Sequence, residues 1–172
     1  MNAKENKEED KGGIISVPDK KGKEMYLYSI LPEDFISENG LLSVAVVGQF
    51  MDSERDENGS LVVDSFQGNP DFVHLFHEML DSLGRHSEAL LEKLPEHDEG
   101  SWVYLIDQRV KDKGAKTDPK NIIGGYKVED GKLGEYAGNP NHVLLTEEGI
   151  FQIGAKLKSD LIDLIMSKYK PN

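Results

Sequence analysis

Hydrophobic and polar positions change period several times along this chain, and the changes mark its elements. Ile14, Ile15 and Val17 sit among polar neighbours, and after a Pro18–Gly22 turn the stretch 24–30 (EMYLYSI) alternates. A period of two reads as a strand with two distinct faces, here Met25, Leu27 and Ser29 against Tyr26, Tyr28 and Ile30. The segment 32–40 reads as a loop or one helical turn that tucks Phe35 and Ile36 inward. The nearly unbroken apolar run 41–51 (LLSVAVVGQFM) predicts a strand covered on both faces. An acidic turn over 52–60 ends in Asn58-Gly59, a favoured hairpin signal, and 61–66 then returns antiparallel.

At Asn69-Pro70 the period lengthens to that of a helix. Asn caps through its side chain, Pro at the first helical position loses no hydrogen bond, and Asp71 suits the positive end of the helix dipole. Phe72, Phe76, Met79, Leu80 and Leu83 make the predicted core stripe, and Gly84 ends it. A second helical piece over 87–94 carries Leu90, Leu91 and Leu94, followed by an acidic loop over 95–100.

The strands return with Trp102–Val110 and Ile122–Val128 around a polar loop, and Asp130-Gly131 predicts a tight turn leading to Leu133. Residues 134–142 read as loop, Val143–Leu145 as a short strand, and Phe151 and Ile153 as a further pairing. A closing helix over 155–169 predicts a stripe of Leu157, Leu161, Leu164, Ile165 and Met166, with Pro171 beyond its end. Strands, helix, strands, helix is the order of an α+β protein and not of alternating βαβ units. The expectation is a largely antiparallel sheet of about five to eight strands with two main helices, near 70–94 and 155–169, packed on it. Residues 1–12 read as a disordered tail and 13–172 as a single α+β domain.

Composition adds one feature. The net charge is −12, but residues 31–100 hold 16 acids against three bases, a balance of −13, whereas 1–30 balance and 101–172 carry +1. Such a field repels nucleic acids and anionic lipids and attracts basic partners. With no cysteine there is no disulfide or thiolate chemistry, and a reducing, cytoplasmic setting is the simplest expectation. No apolar run reaches the roughly 20 residues that span a bilayer, and the polar N-terminal stretch does not read as a secretory signal.

Candidate chemistry is sparse. His74, His77 and Asp81 share a helix face at spacings that could chelate zinc, but that face lies opposite the apolar stripe and reads as solvated surface, so no metal is expected. Residues from Glu54 to Ser65 space their polar groups like a calcium loop, but begin on Glu and end on Ser where a bidentate carboxylate is needed, so a hairpin turn is expected. Asp107 and Arg109, two apart at a strand end, can pair on one side. With His142, Tyr126 and Asn139 they could frame a polar pocket, or they could simply anchor the 111–120 loop. That loop carries Lys111, Lys113, Lys116 and Lys120, diluted by Asp112 and Asp118. Gly124-Gly125 precedes no helix and reads as a bulge or close backbone approach. No nucleophile elbow, P-loop or dinucleotide fingerprint is present.

The acids point furthest. Asp52, Glu54, Asp56, Glu57, Asp71, Glu78, Asp81, Glu88 and Glu92, continued by Glu96, Asp98 and Glu99, predict a negative surface for a basic protein. The expected function is therefore non-enzymatic protein binding, as an inhibitor, immunity-like protein or adaptor, with no cofactor and no nucleic-acid or membrane partner. The alternative is a small enzyme or ligand binder using Asp107, Arg109 and His142.

Overall fold

A computed structural model describes residues 12–51, 55–110 and 117–169. The predicted disordered tail, Asp52, Glu54 and the basic cluster at 111–116 lie outside them, the tail's last residue, Gly12, excepted. The fold is mixed α+β, with nine strands in antiparallel sheets and four α-helices among the described residues. No described helix is long and apolar enough to cross a membrane. The chain divides into two compact units, residues 1–75 with 162–172, and residues 76–161.

In the first unit β1 (Gly13–Pro18), β2 (Glu24–Ser29), β3 (Val46–Phe50) and β4 (Phe66–Gly68) form a sheet in chain order. Ile15 pairs with Leu27, and both pack with Val46 under Val17 and Ile36. Helix α1 (Glu33–Asn39) forms where a loop or one helical turn is expected, and Phe35 meets Tyr169 edge-on. The predicted 41–51 strand is shorter than its apolar pattern. A 3-10 turn occupies Ser43–Ala45, and Leu41 and Leu42 are exposed. The Asn69 amide fixes that turn by donating to the carbonyls of Ser43 (2.7 Å) and Val46 (2.9 Å), while its Oδ1 accepts from Asp71 N at the start of the next helix.

That helix, α2 (Pro70–Leu83), carries the predicted stripe with two changes. Leu75 is buried, whereas Leu83 is 42 % exposed. Beyond a 3-10 turn at Gly84–His86, α3 (Glu88–Lys93) buries Leu90 and leaves Leu91 in solvent. In the second unit β5 (Trp102–Ile106), β6 (Ile122–Glu129) and β7 (Lys132–Gly138) form a three-stranded sheet, and β8 (Leu145–Thr146) and β9 (Gly149–Ile150) a small hairpin. Residues 132–138, expected as loop beyond Leu133, are strand. Asp130 (φ 53°) and Gly131 (φ 72°) make the predicted tight turn before them. Val103, Tyr126, Val128 and Leu133 turn one face of this sheet toward Leu90. The closing helix α4 (Ala155–Ser167) buries Leu157, Leu161 and Ile165, while Met166 is exposed.

Candidate functional site

The residues most suggestive of chemistry converge on a closed knot in the second unit. Strand β5 stops at Ile106, and Asp107 and Arg109 lie in the turn beyond it, not on the strand as their spacing predicts. They still meet, because Arg109 folds back: its Nη2 reaches Asp107 Oδ2 at 2.7 Å. His142 Nε2 donates to the same oxygen at 2.9 Å, and Oδ1 accepts from the backbone N–H groups of Arg109 and Gln152, both at 3.0 Å. Side-chain exposures of 0 % for Asp107, 1 % for Arg109 and 3 % for His142 put the whole group out of water.

Burial by itself would push the Asp107 carboxyl up, but the donors from His142, Arg109 and Gln152 more than offset it and hold the group below the usual carboxylate range. The rest of the Arg109 fork grips the following segment. It donates to the carbonyls of Val143 (2.6 Å) and Gly149 (2.9 Å), and at longer range to Thr146 Oγ1 and the Leu144 carbonyl. Gln108 N adds a bond to Gln152 O. The knot thus fastens the β8–β9 hairpin to the end of β5. Both carboxylate oxygens are occupied, which leaves no lone pair directed at a substrate.

Tyr126 and Asn139 are not part of it. The Tyr126 hydroxyl donates to the Leu80 carbonyl at 2.6 Å inside the core. Asn139 donates its amide to the carbonyls of Pro119 and Ile122 and accepts from Asn141 N, which shapes its own loop. The helical trio separates too. His77 is half-buried and shares a 2.6 Å hydrogen bond with Tyr136, Asp81 pairs with Arg85 at 2.7 Å, and His74 is exposed. Burial, and then the charge of His142, lowers the affinity of His77 for a proton. Among the described residues no group of three His, Cys, Asp or Glu is placed to hold a metal ion. Asp56 forms a turn through its Oδ1, which accepts from Asn58 N and Ser60 N, closed by an Arg55–Leu61 bridge.

The acids stay at the surface. Asp56, Glu57 and Asp71 are exposed in the first unit, and Glu78, Asp81, Glu88 and Glu92 in the second. Asp71 accepts from Ser43 Oγ, and Glu99 accepts from Asp130 N and Gly131 N at the β6–β7 turn. Glu88, Glu92, Glu96 and Asp98 form a run on α3 and the loop after it, exposed and with no ion pair among the described residues.

One further site has no counterpart among the sequence expectations. On the face of the β5–β6–β7 sheet opposite Val103 and Tyr126, Trp102 and Tyr104 border a groove of about 340 Å³. Tyr104 lies across from Gly125, and a Cβ at that glycine would press on both rings, at 3.1 Å from Tyr104 and 3.3 Å from Trp102. A Trp-x-Tyr strand facing Gly-Gly is the sequence signal, and it becomes legible only once the register is known. Compared with known proteins, this chain matches no family profile, no curated sequence and no solved structure.

Proposed function

We propose that the protein is a non-enzymatic binding module that holds a basic protein through its exposed acids, above all those of α3 and the loop behind it. The observation that carries this reading is the run Glu88, Glu92, Glu96 and Asp98. These carboxylates are solvent-exposed and have no ion pair among the described residues, although Lys93 lies within the run. Unneutralised carboxylates concentrated on one short segment speed encounter with a cation and disfavour anionic partners. An enzymatic reading finds no comparable support, since the Asp107–Arg109–His142 group is sealed and hydrogen-bonded to its own chain.

The test separates the position of the charge from its amount. Immobilised full-length protein, challenged with lysate at low ionic strength, should retain basic proteins and release them at high salt. Glu88→Lys with Glu92→Lys should abolish that retention. Glu147→Lys with Glu148→Lys, an equal charge change at another exposed site, should not. Retention indifferent to salt, or lost equally in both variants, contradicts the proposal.

A further inference from the structure

We propose that the groove beside Trp102 and Tyr104 binds a proline-rich peptide in the polyproline II form with a basic residue at its end. This rests on the reading above and names the partner's chemistry. The groove is walled by two rings and floored by Gly125 and Ala137, with Pro119 and Pro140 at one end. Among the described residues the lining contains no charged side chain, and Asn139, which also lines it, already commits its amide to Pro119 and Ile122. A sugar needs several directed polar partners beside an aromatic plane, and among the described residues the lining adds only Asn139 to the two rings. A nucleotide would bring phosphates to an acidic surface.

The two ring residues carry an indole N–H (Trp102) and a hydroxyl (Tyr104), and neither has a hydrogen-bond partner among the described residues. A polyproline II chain matches this supply. It makes no internal hydrogen bonds, so its carbonyls seek donors, and its prolines pack flat on aromatic rings. The surroundings select the charge. Gly100 N donates to Val128 O and Val128 N to Ser101 O, which brings the acidic loop beside the Trp102 end of the sheet. Asp98, Glu99, Glu129 and Asp130 gather there, with Lys127 and Lys132 as the opposing charges, and Glu135 is exposed on β7. The balance is negative, so a basic residue flanking the prolines is favoured over an acidic one.

Trp102 is the sole tryptophan, so its fluorescence reports the groove directly. Full-length protein is titrated with hexaproline carrying an arginine at each end, with hexaalanine carrying the same arginines, with hexaproline carrying a glutamate at each end, and with cellohexaose. Saturable binding of the arginine-flanked hexaproline is expected, weakened about tenfold by losing either the prolines or the Tyr104 ring in Tyr104→Ala. Gly125→Val, which fills the floor, should weaken it as well, with circular dichroism confirming that both variants fold. Equal, salt-sensitive binding of the alanine peptide overturns the groove and leaves the acidic-surface reading standing. Equal binding of the glutamate-flanked peptide, indifferent to salt, removes the charge selection and overturns the proposal, while the acidic-surface reading stands or falls by the Glu88→Lys/Glu92→Lys variant. Binding of cellohexaose alone, no saturable change, or an unaffected Tyr104→Ala variant also overturns the proposal.

Discussion

The Tyr126 hydroxyl occupies the space that a side chain at Gly84 would need. A Cβ built on Gly84 collides with that oxygen, which donates at 2.6 Å to the carbonyl of Leu80. The glycine therefore does more than end α2: it lets a strand tyrosine dock under the helix and satisfy one of its last carbonyls. Burial raises the Tyr126 pKa, so the phenol stays a donor throughout the ordinary pH range.

Two substitutions separate space from hydrogen bonding there. Gly84→Ala should cost about 1–3 kcal/mol by overpacking. Tyr126→Phe should cost about 1–2 kcal/mol by orphaning a buried acceptor. In the double variant Gly84→Ala/Tyr126→Phe the methyl no longer meets an oxygen, so its cost should fall below the sum. Urea denaturation measures all three, and strict additivity would contradict the contact.

Asp107→Ala strips the buried Arg109 guanidinium of its counter-ion, and about 3–5 kcal/mol of destabilisation is expected. Replacing both residues should cost less than the two single changes together, because neither charge is then left alone. The pH dependence follows from the depressed carboxyl. Its contribution is complete above the unfolded carboxylate value of about 4 and is lost as the pH falls below that. Stability measured from pH 5 down to 2 should decline less steeply in Asp107→Ala than in the parent protein.

His77 predicts a second, separate step. Its folded proton affinity is lowered by burial and by the nearby charge of His142. A protonated ring can only donate, which removes an acceptor from the pair with Tyr136. A depressed folded value means that stability is complete above the unfolded histidine value of about 6.5 and declines as the pH drops through it. Thermal melts between pH 7.5 and 5 should show that decline, and His77→Gln should flatten it.

Much of this architecture is legible in the chain because its punctuation is chemical. Asn69-Pro70, Gly84 and Asp130-Gly131 bound elements where their caps and turns require. Strand β7 is not legible, since Gly134, Glu135, Ala137 and Gly138 are poor strand formers and the strand is held by pairing with β6. Periodicity gives the direction of a helix face but not where its neighbours end, so Leu83 and Met166 read as core and sit in solvent. Asp107 and Arg109 are legible as a pair by their spacing, yet it is a turn that joins them. Their sealing by Val143, Gly149 and Gln152 depends on contacts roughly 35–45 residues away along the chain.

Backbone amide shifts show where a cationic ligand touches. With labelled full-length protein and the arginine-flanked hexaproline peptide at low salt, perturbations should cluster at the acidic loop and the groove, residues 98–104 and 124–138, and fade as salt is added. Shifts scattered over both units, centred on Asp107 and His142, or unchanged at high salt would contradict the binding function proposed for the acidic segment.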